Sequence, residues 1–118
     1  MTVATSTPEP LTPAVLHILM ALADGERHGY GIMQAVAIQS DNTVRMGPGT
    51  LYGTIKRMLA SGFIEEAEER IDPNHADERR RYYRLTGLGR DVFKNEIKRL
   101  ERLLQVPAAK NVLVKENT

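Results

Sequence analysis

The stretch MGPGTLYGTIKR, from Met46 to Arg57, carries glycines at Gly47, Gly49 and Gly53 and closes on two cations, Lys56 and Arg57. Glycines ahead of a helix can bring backbone N–H groups close to a phosphate. A nucleotide-binding turn, however, needs a strand before it and a parallel βαβ unit around it. Asn42 to Met46 makes a poor strand, no second parallel strand has room to follow, and Pro48 has no N–H to offer an anion. The stretch therefore reads as a helix opening at Pro48, with Leu51, Ile55, Met58 and Leu59 spaced i, i+4, i+7 and i+8 on its buried side. Gly49, Gly53, Lys56, Arg57 and Ala60 fall opposite, flanked by Thr50 and Tyr52. A face of small residues and cations suits the close approach of a polyanion. Gly53 in a helix interior costs about 1 kcal/mol relative to alanine. Groove approach would offset that cost, and so would room for a packed neighbour.

Working outward, Thr12 and Pro13 open an earlier helix, a hydroxyl cap followed by a proline whose missing N–H costs nothing there. Its expected apolar face is Leu16, Leu19, Met20 and Ala23, with a stop at Gly25. His28-Gly29-Tyr30-Gly31 begins a second helix, which places Ile32, Met33, Val36 and Ala37 inward. After Ser61-Gly62 the period shortens: Phe63 to Arg70 and Arg79 to Leu85 read as two strands of a hairpin around a turn-rich DPNHADE. Glu65 to Glu69 and Arg79 to Arg81 would face each other across it. Thr86 then caps a long helix over residues 87–106, ended by Pro107. Phe93, Ile97, Leu100 and Leu104 recur at spacings of 4, 3 and 4, the seam of a coiled coil. With Leu16 from the first helix, they are the expected dimer interface.

The expected fold is mainly α with a two-stranded β-hairpin, a winged helix-turn-helix plus a long C-terminal helix. The expected organisation is a flexible segment 1–10, a winged-helix domain 11–86, a dimerisation helix 87–106 and a flexible tail 107–118.

At 118 residues the chain has room for one core and no second catalytic domain. It holds no cysteine, so no disulfide or thiolate metal site is expected. MTVATSTPEP lacks the basic and apolar regions of a secretory signal, and no run nears the roughly 20 apolar residues of a membrane span. A cytoplasmic protein without a membrane partner is expected. The net charge is only +1, but it is segregated: from Arg79 to Arg102 nine basic residues meet three acidic ones. His17, His28 and His75 lack metal-ligand spacing, and no nucleophile has a base beside it, so neither metal, cofactor nor enzymatic activity is expected. Arg90, Lys94, Lys98 and Arg102, interleaved with Asp91, Glu96 and Glu101, read as a solvated flank of the last helix.

HGYGI at 28–32, GPGTLYGTIKRML at 47–59, SGFIEE at 61–66 and RRRYYRLTGLGR at 79–90, in this order and spacing, resemble the PadR family of winged-helix transcriptional regulators. The resemblance covers about Leu11 to Leu104 and is to the compact type, with a single C-terminal helix. It implies a homodimer on a roughly palindromic double-stranded DNA operator, usually a repressor, released by a small-molecule effector or a stress signal. It further implies that Tyr30, Thr50, Tyr52, Thr54, Lys56 and Arg57 meet groove or phosphate, with Arg79, Arg80 and Arg81 on the wing. Acids at Asp72, Asp77 and Glu78 argue against the wing tip itself touching DNA. A winged helix used for protein contact alone is the alternative that the near-neutral charge allows.

Overall fold

The computed structural model describes residues 10–116, apart from the side chains of 75–78 and 116, so the expected segment 1–10 lies almost wholly outside the described residues. In chain order the elements are α1 (Pro13–Leu22), β1 (Arg27–His28), α2 (Gly29–Gln39), α3 (Pro48–Ala60), β2 (Ile64–Glu66), β3 (Arg70–Asp72), β4 (His75–Arg80), β5 (Tyr82–Leu85), α4 (Gly87–Leu104) and α5 (Pro107–Glu116). Helices α1, α2 and α3 followed by a β wing make the expected winged helix-turn-helix, with α4 appended.

Capping fixes the helix starts. Thr12 Oγ1 accepts from the Val15 N–H at 3.3 Å, ahead of Pro13 at the first helical position. His28 Nδ1 accepts from the Gly31 N–H at 3.0 Å and opens α2. Thr86 Oγ1 accepts from the Gly89 N–H at 3.0 Å and donates to the Gly62 carbonyl, tying the start of α4 to the end of α3. Between α2 and α3, Ser40 Oγ accepts from the Val44 N–H at 3.0 Å and steadies the turn.

The core gathers Ile18, Leu19, Leu22, Ile32, Val36, Leu51, Ile55, Met58, Ile64 and Tyr83. On α3 Leu51, Ile55 and Met58 are buried as expected, but Leu59 is half-buried and Thr54 is buried with them. On α1 the buried residues do not match the expected face: Ile18, Leu19, Ala21 and Leu22 are buried, while Leu16, Met20 and Ala23 are only half-buried. The core-facing side of α1 is rotated from the expected one.

The sheet is richer than one hairpin. β5 lies between β2 and β1, pairing antiparallel with both: Glu65 opposes Arg84, and His28 opposes Tyr82. Two-residue β1 escaped the sequence reading because a pair such as Arg27-His28 has no period. Beyond this sheet, β3 and β4 form a separate two-stranded ladder with an irregularity between Ile71 and Asp72. The expected long tip DPNHADE therefore shrinks to Pro73-Asn74, closed by Asp72 Oδ1 accepting from the Asn74 N–H at 2.9 Å.

Two further expectations fail. The tail from Pro107 is the helix α5 rather than a frayed end, because the proline that stops α4 is also well suited to a first helical position. Glu96 is buried rather than part of a solvated flank: it accepts from Arg99 Nε at 2.8 Å and from the Leu11 N–H at 3.1 Å, pinning the chain before α1 to α4.

The Arg99 guanidinium first, and the Leu11 N–H after it, hold the Glu96 carboxyl below its usual range against the opposing effect of burial. A carboxyl depressed on folding contributes stability above its unfolded pKa and loses that contribution as pH falls through the lower folded value. Glu96→Gln should therefore reduce stability at neutral pH and flatten its decline in acid, measured by urea unfolding across pH. Parallel pH profiles for the two proteins would show that Glu96 carries none of the acid sensitivity.

Candidate nucleic-acid interface

Helix α3 exposes one side. Gly49, Thr50, Tyr52, Lys56, Arg57 and Ala60 are exposed and Gly53 is half-exposed, while Leu51, Thr54, Ile55 and Met58 are buried. A Cβ built at Gly49 meets nothing within 4 Å, and one at Gly53 meets only Arg57 Nη1, at 3.8 Å. Neither glycine accommodates a packed neighbour inside this chain. The low, open strip they leave lies beside two cations.

Tyr52 is 48% exposed but leans across to the start of α2, where a Cβ at Gly29 would collide with its hydroxyl end. A larger residue there would push the Tyr52 ring aside. Tyr30, 45% exposed, follows in the same first turn of α2. The two tyrosines thus come from neighbouring helices, and their hydroxyls are suited to hydrogen bonding with phosphate oxygens.

Thr54 departs from the sequence expectation. Its side chain is fully buried, so it offers no surface to a groove. Its Oγ1 donates to the Thr50 carbonyl at 2.7 Å and accepts from Arg57 Nη2 at 3.2 Å.

The three wing arginines differ. Arg79 is exposed opposite Ile71. Arg80 is largely covered, with Nε 3.6 Å from the buried Asp72 carboxylate. Arg81 pairs with Glu66 at 3.2 Å. The expected charge pairing across the hairpin takes a different register, since Glu65 meets Arg84 at 2.8 Å. Glu26, ahead of β1, is flanked by Arg70 and Arg84; the Arg70 hydrogen bond is the main cause holding its carboxyl below the usual range. Arg70 also lies 4.0 Å over the Tyr82 ring, a cation–π contact. Lys56 and Arg57, in contrast, stand on a helix that carries no acid.

Away from this face, Phe93 is half-buried against the core, Leu16 and Leu100 are half-buried, and Ile97 and Leu104 are 38% and 56% exposed. Leu103 and Val106, and then Val112, Leu113 and Val114 of α5, continue the exposed apolar surface. No group of three or more metal-ligating side chains occurs among the described residues, and none of their helices is long and apolar enough to cross a membrane.

Fold and exposed α3 define a winged-helix regulator. Residues 18–95 match the transcriptional regulator PadR-like family. Over 88 residues the chain is 39% identical to transcriptional regulator Rv3488 of Mycobacterium tuberculosis, covering 75% of this chain and 76% of that protein. It is 37% identical over 90 residues to an uncharacterized 37.1 kDa protein in transposon TN4556 of Streptomyces fradiae, spanning 76% of this chain but 24% of that longer protein. The fold is similar to that of Bacillus subtilis PadR in complex with operator DNA, at a TM-score of 0.63 and 21% identity over 75% of this chain and 48% of that one. The chain belongs to the PadR-like family of transcriptional regulators, which are not enzymes.

Open space at Gly53 makes its replacement simple to predict. Gly53→Ala should be accommodated and should stabilise the protein by about 1 kcal/mol through helix propensity alone, as measured by denaturant unfolding. A destabilised variant would place a packed neighbour where none stands in this structure.

Proposed function

We propose that the chain is a homodimeric, sequence-specific DNA-binding repressor that acts in the cytoplasm and leaves its operator in response to a small-molecule or stress signal. The observation that carries the DNA-binding part is the exposed side of α3, where Gly49 and Gly53 lie open beside Lys56 and Arg57. Entry of such a helix into the major groove places small residues against the groove wall and cations near base edges or phosphate. Thr50, Tyr52 and Tyr30 add hydroxyls along the same edge, and Arg79 is the wing arginine best exposed for a backbone contact. The operator complex of the similarly folded Bacillus subtilis protein supports this use of the fold.

The dimer reading rests on α4 and α5. The radius of gyration, 16.8 Å, exceeds the roughly 13.5 Å expected of a compact chain of this length. The long α4, its rise about 27 Å, carries apolar Ile97, Leu103 and Leu104 in the open. A second copy laid against Ile97, Leu100 and Leu104 would cover them and set two α3 helices on one duplex, as a roughly palindromic operator requires. Leu16 and Phe93 would border that interface.

Three measurements test this reading. Replacing Lys56 and Arg57 together by alanine should weaken binding to the DNA upstream of the protein's own gene and reduce the salt slope by about 2, one for each lost phosphate contact. Unchanged affinity would remove α3 from the interface, and a wild-type protein with no salt-dependent mobility shift would favour a protein-contact role instead. Gly53→Ala should bind that DNA more weakly than wild type despite its greater stability. Ile97→Glu and Leu100→Glu should each yield monomers by light scattering, since an unpaired charge in an apolar seam is costly; dimers surviving both changes would assign association to another surface.

A further inference from the structure

Thr54 is fully buried on α3, yet it carries a hydroxyl with two hydrogen bonds. The bond to the Thr50 carbonyl alone would satisfy its donor, and such a bond within a helix is slightly destabilising. The acceptor side of the same oxygen holds Arg57 Nη2 at 3.2 Å. The guanidinium is folded back along the helix to make this bond, over the open backbone of Gly53, whose built Cβ would stand 3.8 Å from Nη1. An exposed arginine otherwise samples many rotamers and loses that freedom on binding. Lys56, next in sequence, has no such tie among the described residues.

We propose that Thr54 is a positioning residue: it fixes the Arg57 guanidinium in the free protein so that its remaining donors meet a ligand presenting two adjacent acceptors. Guanine O6 and N7 in the major groove offer that pattern, and so do two oxygens of one phosphate. The assignment rests on the DNA-binding reading above. It separates the two α3 cations, with Lys56 a mobile point charge and Arg57 a directed fork.

The test compares wild type with Thr54→Val, Thr54→Ser, Arg57→Ala and the double variant Thr54→Val/Arg57→Ala. Each selects from a library of duplexes with a randomised core, and affinities for the best selected duplex and for the random pool are measured across salt. Thr54→Val should lose about 3- to 10-fold on the selected duplex, the range expected when one long side chain must be ordered on binding. Thr54→Ser, which keeps the hydroxyl, should retain wild-type affinity, and Thr54→Val should cost nothing further once Arg57 is alanine. A loss confined to one base pair identifies guanine as the acceptor, whereas a uniform loss across the library identifies phosphate. Thermal unfolding verifies that each variant is folded, with Thr54→Ala replacing Thr54→Val if the latter is not. Wild-type affinity in Thr54→Val, or an equal loss with and without Arg57, overturns the positioning role and leaves DNA binding standing. A wild-type protein that enriches no sequence and shows no salt-dependent binding overturns DNA binding, and this assignment with it.

Discussion

The imidazole of His28 joins the helical half of the molecule to the wing. Its Nδ1 accepts from the Gly31 N–H, which places the ring proton on Nε2, and Nε2 stands 3.3 Å from the Asp72 carboxylate. Asp72 is buried at the end of β3; its other oxygen closes the Asn74 turn, and Arg80 approaches from β4. The Tyr82 ring stands nearly perpendicular to the imidazole, with the ring centroids 5.3 Å apart. One side chain thus fixes the start of α2 and anchors the outer ladder. Tyr30 sits in the turn that His28 caps, and Tyr52 rests on the adjacent Gly29, so the exposed tyrosine pair depends on that anchor.

Net charge understates how this surface is organised. The chain is almost neutral at +1. On the wing, however, positive charge is largely matched locally: Glu26 by Arg70 and Arg84, Glu65 by Arg84, and Glu66 by Arg81. Exposed ion pairs of this kind contribute little to stability, on the order of 0 to 1 kcal/mol each. Helix α3, by contrast, carries two exposed cations and no acid. A patch defined by the absence of acids can guide a polyanion to one face of a molecule that is neutral as a whole.

Helices α1, α3 and α4 were legible because each is written several times over, whereas α5 was missed. Pro48, the i, i+4, i+7 stripe from Leu51 and the stop at Ser61-Gly62 all mark the same segment, and Thr12 and Thr86 cap where their spacing implies. The outer ladder was not legible, because His75 to Arg80 is polar apart from Ala76, and its strand character comes from pairing with β3 rather than from an apolar period. Glu96 looked like a surface acid because its partner, the Leu11 N–H, lies 85 residues away. Thr54 was expected at the groove from the family resemblance alone; the helical wheel placed it on neither face, and it is buried. A hydroxyl need not stay at the surface, and that of Thr54 satisfies itself within its own helix. The α3 cations were legible, since charge opposite an apolar stripe remains at the surface, and Tyr52 was read on the flank of that face; Tyr30 was named only through the resemblance.

The joint between α3 and α4 is unusually tight. A Cβ at Gly89 would collide with the Phe63 carbonyl oxygen, and Thr86 bonds both across to Gly62 and forward to Gly89. Backbone lies directly on backbone there, with no side chain between them to deform. The start of α4 is thereby seated on the Gly62-Phe63 turn that follows α3, and no residue larger than glycine fits at position 89 without moving backbone.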